Sequence, residues 1–294
     1  MDTATETKTV AGDKGRLLEY AWAQKKRGKK DSTIEQQTRR LRQLEDKGAD
    51  LNNPDSVEAV LATENFSLAN KERIVQAYSS YTKTFRIAWI PIKTGYRPKQ
   101  PYYPPESLLD QLIAHLGPRN AAFFQMLKDT GARVGEACKV KWEDVNEDNN
   151  TIRINEPEKR SNSRTIRVSE KTIAMIKRLS KKYSPYVFSP NSVIYKNAMR
   201  IARNRLAVQL QDPRFKLIHP HSFRHFKGTI EYAKTKDLLH VMQVLGHRNC
   251  QNTLIYTHLS KFESDEFHHA IAKTIEEAGK LVDAGFEFRF SSNA

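Results

Sequence analysis

Residues 219–229, "HPHSFRHFKGT", place three histidines and one arginine within seven positions of the chain. Pro220 suits the first turn of a helix, and His221 and Arg224, three residues apart, would then share one face of it. Both side chains could bind the same anion, and the free N–H groups at the helix start would add positive potential. The stretch therefore predicts a helix that presents an anion site.

A metal site is the competing interpretation of these histidines. His219, His221 and His225 could ligate zinc, but the sequence has no H-E-x-x-H motif, no paired cysteines and no carboxylate at ligand spacing. Cys138 and Cys250 are far apart, which favours the reducing cytoplasm over a disulfide-stabilised protein. We therefore expect no metal and no other cofactor.

Two later stretches add groups suited to phosphate chemistry. "LGHRN" at 245–249 carries His247, and "NTLIYTHLS" at 252–260 carries Tyr256, nine residues further on. A tyrosine hydroxyl, with a pKa of about 10, is a poor nucleophile in water. Several cations around a phosphate would lower that pKa and neutralise a pentavalent transition state. These residues therefore suit nucleophilic attack on a phosphate.

A second arginine is indicated by "TGARVGEACKVKWEDV" at 130–145. Arg133 follows a glycine break, at a point where a new helix would begin. Glu136, one turn along, could brace the guanidinium group. Both residues could equally be solvated positions on a helix surface, so this stretch alone leaves their role open.

The charge balance indicates a polyanionic partner. Lys and Arg number 49 against 34 Asp and Glu, which gives a formal charge of +15 and a pI near 9.7. Such an excess suits nucleic acid first and an anionic membrane surface second. Basic faces without a special partner are the alternative. No stretch approaches the roughly 20 apolar residues needed to span a bilayer, so no membrane protein is expected.

The chain divides by composition into two parts joined by a stiff segment. Residues 91–105, "PIKTGYRPKQPYYPP", contain five prolines and no helical period, which is typical of an extended linker. We expect a flexible tail over 1–12, a helical DNA-binding domain over 13–90, a basic linker over 91–104, a catalytic domain over 105–283 and a C-terminal tail over 284–294.

The first part is predicted to be a small helical bundle. The apolar face of its first helix, over 14–27, comprises Leu17, Leu18, Ala21 and Trp22. A capping box pairs Ser32 with Glu35 at the start of the second helix. Ser67 can cap a long helix that is expected to end near Trp89. Lys and Arg along these helices suit a bundle that grips DNA, or equally solvated helix faces.

The second part is predicted to be mostly helical with one small hairpin. "TIRI" at 151–154 and "RTIRVS" at 164–169 are short β-branched runs separated by a long polar tip. One helix is expected to start at Pro105 and to include Leu108, Leu109, Leu112 and Ile113. Further helices are expected over about 119–130, 169–182, 191–211, 221–234, 236–246, 249–258 and 262–283. The predicted fold class is mainly α with a small β-hairpin or sheet.

Together, the quoted stretches resemble the conserved boxes of the tyrosine recombinase (phage integrase, Xer-like) family, over residues from about 105 to 260. That family carries Arg, Lys, His-x-x-Arg, His or Trp, and Tyr in this order. The matching positions are Arg133, a hairpin lysine, His221 with Arg224, His247 and Tyr256. The hairpin departs from the family pattern, because "NEPEKRSNSR" at 155–164 replaces the usual glycine-lysine-glycine turn. Lys159 is the only lysine between the two strands.

The resemblance implies a role for each of these residues. Tyr256 would attack the scissile phosphate, form a 3′-phosphotyrosyl link and free a 5′-hydroxyl. Arg133, Arg224 and His247 would bind the phosphate, and Glu136 would support Arg133. His221 would handle the tyrosine proton, and Lys159 would protonate the leaving 5′-oxygen. Rejoining would need neither ATP nor a metal, because the covalent link conserves the bond energy.

The resemblance also implies an architecture and partners. We expect a two-domain clamp on double-stranded DNA, with a helical core-binding domain and a catalytic domain, that assembles as a homotetramer. The C-terminal segment, a helix over 262–283 followed by the tail over 284–294, would dock on a neighbouring subunit. The alternatives are docking on its own domain, or disorder. The task would be integration and excision, or resolution of chromosome dimers. The alternatives are relaxation of DNA like a type IB topoisomerase, and a catalytically silent DNA-binding protein on the same scaffold.

Overall fold

The computed structural model describes residues 11–159 and 161–259, together with positions 274, 276, 277 and 279. The chain forms two compact units, Met1–Gln100 and Pro101–Ala294, so the division falls inside the proline-rich segment. Most of the predicted N-terminal tail, the helix predicted over 262–283 apart from those four positions, and the tail over 284–294 lie outside the described residues. No helix in the described ranges is both long enough and apolar enough to cross a bilayer.

The described part of the first unit, from residue 11 onward, contains four helices around one apolar core. They are α1 (Ala11–Lys26), α2 (Asp31–Glu45), α3 (Pro54–Thr63) and α4 (Leu68–Phe85). Asn53 and Ser67 cap α3 and α4 by accepting hydrogen bonds from the backbone N–H groups of Asp55 and Asn70. Residues such as Leu41, Leu44, Ile74, Tyr78 and Tyr81 fill the core.

Two predicted helix boundaries in this unit are wrong. The predicted capping box of Ser32 does not form, because α2 already begins at Asp31 and its N-cap, Lys30, has no side-chain cap. The last helix ends at Phe85, and Arg86 adopts a left-handed conformation with φ of 56°. Trp89 then lies beyond the helix, where its Nε1 donates to Glu58 over 2.9 Å.

The predicted buried face of α1 is also wrong in part. Leu18 and Trp22 are 72% and 62% exposed, whereas Leu17 and Tyr20 are buried. The Tyr20 hydroxyl donates to Gln37 and Ser80, both at 2.9 Å, so α1 packs through hydroxyl and amide contacts as well as apolar ones. Selecting core residues of α1 by apolarity therefore included Leu18 and Trp22 and missed Tyr20.

The second unit is mostly helical with one small sheet, which confirms the predicted fold class. Its helices are α5 (Glu106–Ala114), α6 (Pro118–Thr130), α7 (Val134–Ala137), α8 (Glu170–Lys177), α9 (Ser192–Gln209), α10 (Pro220–Thr235), α11 (Leu238–Leu245) and α12 (Ile255–Leu259). The sheet is antiparallel in the order β1 (Val145–Asn146), β2 (Thr151–Ile154) and β3 (Arg164–Arg167). The predicted hairpin thus gains a short third strand.

Several predicted helices of this unit end earlier or break. The helix expected over 169–182 is only α8. The helix expected over 249–258 is a 3₁₀ turn, Cys250–Asn252, followed by α12. Asn249 begins this turn by accepting a hydrogen bond from the backbone N–H of Gln251, which favours the tighter geometry.

The central helix α6 positions the site. It packs against α5, α8 and α10, and its Phe123, Phe124 and Leu127 are fully buried. Gly131 ends α6 with φ of +61°, and a Cβ atom there would lie 2.8 Å from Leu245 Cδ2. Glycine is therefore required both for the turn and for the close approach of α11. This turn delivers the chain directly to Arg133.

Candidate active site

Three segments that are distant in sequence meet around one cavity of about 320 Å³. The turn after α6 contributes Arg133, the tip of the β2–β3 hairpin contributes Lys159, and the turn after α11 contributes His247. The other lining residues are Ser161, Arg248, Asn249 and Asn252. The lining is polar and carries three cationic side chains, so the cavity suits an anion.

Glu136 orients Arg133 from inside the protein. Arg133 donates through its backbone N to Glu136 Oε2 at 3.0 Å and through Nη1 to Oε1 at 2.8 Å. Burial alone would raise the pKa of Glu136, but the charge of Arg164 and the backbone N–H of Arg133 hold it at about 2. The carboxylate thus stays ionised at neutral pH. Arg133 Nη1 also contacts the Ser161 hydroxyl.

Arg224 connects two of the turns that form the site. It is 1% exposed, and its Nη1 and Nη2 donate to the carbonyl oxygens of Gly131 and Leu245, both over 2.7 Å. These carbonyls immediately precede the segments that carry Arg133 and His247. Burial, followed by the charge of Arg133, lowers the pKa of Arg224 to about 10, so it remains a cation at neutral pH.

The two histidines predicted for the site are neutral but lie in different surroundings. His247 is half-buried, and its Nδ1 lies 2.8 Å from the Thr253 hydroxyl. Burial and the charges of Arg224 and Arg133 lower its pKa to about 3. His221 is exposed, so solvent screens the charges of the neighbouring residues. Desolvation and the charges of His225 and Arg224 still place its pKa below the ordinary value.

Tyr256 lies in an apolar pocket beside the cavity rather than in its lining. It is 1% exposed and packs with Val241 and Leu245. The pocket exists because Gly228 has no side chain: a Cβ atom there would lie 2.6 Å from Tyr256 Cζ. Burial raises the pKa of Tyr256 to about 12, although the charges of Arg224 and Arg133 act in the opposite direction. Attack on a phosphate therefore requires that the hydroxyl become accessible.

Some residues near the site were missed by sequence reasoning. His225 has no role in the predicted site, yet its ring centroid lies 4.8 Å from that of His221 and 6.0 Å from that of Tyr256. Arg248 and Ser161 line the cavity. The sequence offered one signal for this packing, namely Gly228, because a glycine inside a helix often marks the close approach of another element. Ser161 and Arg248 carry no comparable sequence signal.

Two other tyrosines of the second unit pack in different places. Tyr195 stacks on Phe123 at 3.7 Å, and its hydroxyl accepts a hydrogen bond from Ser189 N over 2.7 Å. It belongs to the core. Tyr232 packs at the edge of the Tyr256 cluster. Within the described ranges, no three His, Cys, Asp or Glu side chains form a group that could hold a metal.

The chain matches known proteins over most of its length. The model of the phage integrase family matches residues 105–263. The tyrosine recombinase XerC of Xanthomonas axonopodis pv. citri is 28% identical over 216 residues, which are 68% of this chain and 67% of that protein. The tyrosine recombinase XerA of Pyrococcus horikoshii is 26% identical over 268 residues, covering 87% of this chain and 92% of the relative.

Solved structures share the fold. The integrase of the Tn1549 transposon, in complex with circular intermediate DNA, aligns with a TM-score of 0.64 at 16% identity and covers 92% of this chain and 99% of its own. A lambda integrase dimer bound to a COC′ core site gives a TM-score of 0.63 at 15% identity, covering 88% and 99%. At these identities the likeness establishes the fold alone.

Proposed function

The chain belongs to the phage integrase family of tyrosine recombinases, and we propose that it is a site-specific DNA recombinase that acts through a 3′-phosphotyrosyl intermediate. One observation carries the proposal: Arg133, Lys159 and His247 line a single cavity, and Arg224 joins the two turns that carry Arg133 and His247. The substrate is double-stranded DNA, and strand exchange between two duplexes takes place in a homotetramer. No metal or other cofactor is needed.

The reaction follows from the chemistry of these side chains. The Tyr256 oxygen attacks phosphorus as its proton leaves, and the bond from phosphorus to the 5′-oxygen breaks. Lys159 gives a proton to that 5′-oxygen, which would otherwise leave as an alkoxide. Arg133 and Arg224 neutralise the non-bridging oxygens, and neutral His247 donates a hydrogen bond to one of them. The reverse attack by a 5′-hydroxyl of another strand restores the phosphodiester.

The tyrosine proton passes to a neutral imidazole. His221 has this role, and its exposed ring can exchange the proton with solvent. The lowered pKa of His221 keeps its ring neutral at pH 7. The contact of His225 with both rings holds His221 and Tyr256 in one aromatic cluster.

The first test concerns the nucleophile. Tyr256→Phe removes one oxygen and keeps the ring, so the variant should bind DNA normally and form no covalent adduct with a nicked suicide substrate. Tyr232→Phe is the matched control, because it removes a hydroxyl from the same cluster. It should still form the adduct. Covalent attachment by Tyr256→Phe would falsify the assignment.

The second test concerns the acid. Lys159→Ala should slow cleavage of ordinary DNA by about 10²–10⁴-fold, the usual contribution of a general acid. A substrate with a 5′-bridging phosphorothiolate needs no proton donor, because sulfur leaves readily without one. The variant should therefore cleave that substrate at nearly the unmutated rate. Equal slowing on both substrates would mean that Lys159 only binds DNA.

The third test concerns assembly. Strand exchange requires two duplexes in one complex, so recombination between two sites should coincide with a tetramer in sedimentation of the protein–DNA complex. The adduct-deficient Tyr256→Phe protein allows this complex to be measured without reaction. Relaxation of supercoiled DNA by a monomer, without strand exchange, would instead assign the chain a topoisomerase activity.

A further inference from the structure

The tip of the β2–β3 hairpin has an ordered conformation without glycine. The tip loop is defined here by its described residues, Glu158, Lys159, Ser161 and Asn162. Lys159 has a φ of 52°, in the left-handed region that non-glycine residues seldom occupy. Such a backbone is strained and persists only where surrounding contacts impose it. The contacts of this loop therefore decide where Lys159 lies.

The upstream end of the tip loop is held by the turn that carries Arg133. Glu158 N donates to Glu136 Oε1 over 3.2 Å, and the Glu158 carbonyl accepts from Arg133 Nη1 over 3.4 Å. Glu158 also lies directly on the backbone at Gly135, where a Cβ atom would approach Glu158 Oε1 to 2.1 Å. This end is thus fixed by groups already assigned to the site.

Arg164 holds the downstream end. Its side chain is 6% exposed, and Nη2 donates to Glu136 Oε2 over 2.8 Å. Nη1 donates to the Asn162 carbonyl over 3.3 Å and would lie 2.8 Å from a Cβ atom on Gly246. Asn162 N in turn donates to the Gly246 carbonyl over 3.1 Å. The guanidinium group of Arg164 therefore joins the tip loop to Glu136. The tip loop is also hydrogen-bonded to Gly246, in the turn that carries His247.

We propose that Arg164 is a positioning residue for the cleavage step, because it holds the tip loop in the conformation that places Lys159 at the phosphate cavity. The inference rests on the proposed role of Lys159 as the general acid. The Nη groups of Arg164 donate to Glu136 and to the Asn162 carbonyl, so we assign its effect to the loop and not to the DNA. Its planar fork lets one side chain contact the carboxylate and the carbonyl together, which a lysine ammonium on a flexible stem does less well.

Arg164→Lys is the informative variant. A lysine keeps the buried positive charge beside Glu136 but loses the second, carbonyl contact to Asn162. Arg164→Ala would remove the cation from a buried carboxylate and could unfold the protein, so it is not used. Arg164→Gln is the second variant: it also removes the cation, but unlike alanine it keeps an amide that can donate to Glu136, and its thermal unfolding is measured beside that of Arg164→Lys. Arg167→Lys, at an exposed position on the same strand, is the matched control.

The experiment measures single-turnover cleavage of ordinary DNA and of the 5′-bridging phosphorothiolate. Arg164→Lys and Arg164→Gln should cleave ordinary DNA about 10- to 100-fold more slowly, a share of the general-acid contribution. Both should cleave the thiolate at nearly the unmutated rate, while DNA affinity and thermal unfolding of Arg164→Lys stay unchanged. Arg167→Lys should match the unmutated protein on both substrates.

The outcomes separate the inference from the function on which it rests. If Lys159→Ala is rescued by the thiolate but Arg164→Lys is slowed equally on both substrates, Arg164 is structural and the inference is wrong. Unchanged cleavage of both substrates by Arg164→Lys would overturn it too. If the phosphorothiolate does not rescue cleavage by Lys159→Ala, Lys159 is not the general acid and the inference on Arg164 is wrong as well. The Tyr256→Phe experiment still tests the recombinase function independently.

Discussion

His225 illustrates how much the site depends on single buried groups. It is 7% exposed, and its Nδ1 has no hydrogen-bond partner in the part of the chain that the structure describes. Burial, followed by the charges of His219 and Arg224, lowers its pKa to about 4. The ring is therefore neutral in the folded protein at pH 7, between His221 and Tyr256.

This neutral state predicts an acid-sensitive fold. In the unfolded chain histidine has a pKa of about 6.5, so the folded state gains stability from His225 above that pH and loses it as the pH falls towards 4. Between pH 7 and pH 5 the loss should be about 2 kcal/mol from this residue. Urea unfolding of His225→Gln should show a flatter pH dependence than the unmutated protein. Exposed His115→Gln is the control, and a flattening there of equal size would contradict the assignment.

At the scale of elements, the site depends on how α12 packs against α10. The two helices approach closely at Gly228, and the ring of Tyr256 occupies the space where a side chain would lie. Elsewhere in a helix, alanine is more stable than glycine by roughly 0.5–1 kcal/mol. Glycine at this position therefore lowers the stability of the helix but leaves space for the ring of Tyr256.

Gly228→Ala should displace Tyr256. A Cβ atom 2.6 Å from Cζ forces the ring to shift, because the nearest atoms belong to a stiff aromatic side chain. We expect normal DNA binding and at least about a tenfold change in the rate of adduct formation on a suicide substrate, since small misplacements of reacting groups are costly. Gly117→Ala, where nothing lies within 4 Å of the added atom, should leave the rate unchanged. A wild-type rate for Gly228→Ala would show that the pocket does not control the tyrosine.

At the scale of the whole molecule, the charge of +15 and the proline-rich connection are the main features. Ile92 packs on the core of the first unit, and Thr94 donates to Glu72 over 2.6 Å. Tyr102 and Tyr103 pack on the core of the second unit. The predicted linker over 91–104 is therefore anchored at both ends, and residues 95–100 between the anchors are exposed.

Limited proteolysis tests the proposed domain boundary. The first cut should fall between Ile92 and Pro104, and trypsin should cut after Lys99, which is exposed. Two fragments that each unfold cooperatively should result, because each unit has its own apolar core. Early cuts inside both units, with the linker intact, would contradict the boundary.

Salt dependence tests the electrostatic part of DNA binding. Each phosphate neutralised by Lys or Arg should contribute about −0.9 to the slope of log K against log salt concentration. Several contacts are expected, so affinity should fall steeply as salt rises. Tyr256→Phe is the suitable protein for this titration, because no covalent adduct can trap the complex. A flat response would remove the argument from net charge.

The sequence predicted the residues that line the site better than the residues that hold them in place. Arg133, His247 and Lys159 could be found because phosphate chemistry requires these residue types, and the resemblance supplied their order. The family and the fold class are confirmed. Arg164 could not be assigned, since its partner Glu136 is 28 positions away and the contact exists only in the folded chain.

Helix faces and ends were predicted less well for a related reason. Leu18 and Trp22 read as core because periodicity ranks residues by apolarity, whereas hydroxyl and amide contacts decided how α1 packs. The end of α4 depends on the left-handed Arg86, a residue type that carries no turn signal. Local sequence preferences predict neither the packing of α1 nor the end of α4, because tertiary contacts determine both.

The two carbonyl contacts of Arg224 have a thermodynamic consequence. Its side chain is already immobilised by Gly131 and Leu245, so the conformational entropy of this arginine is lost on folding and not when DNA binds. In the proposed reaction the guanidinium group would therefore meet a phosphate without further ordering of its side chain. The same anchoring makes Arg224 a poor choice for an inactive reference protein, because any replacement would loosen both turns.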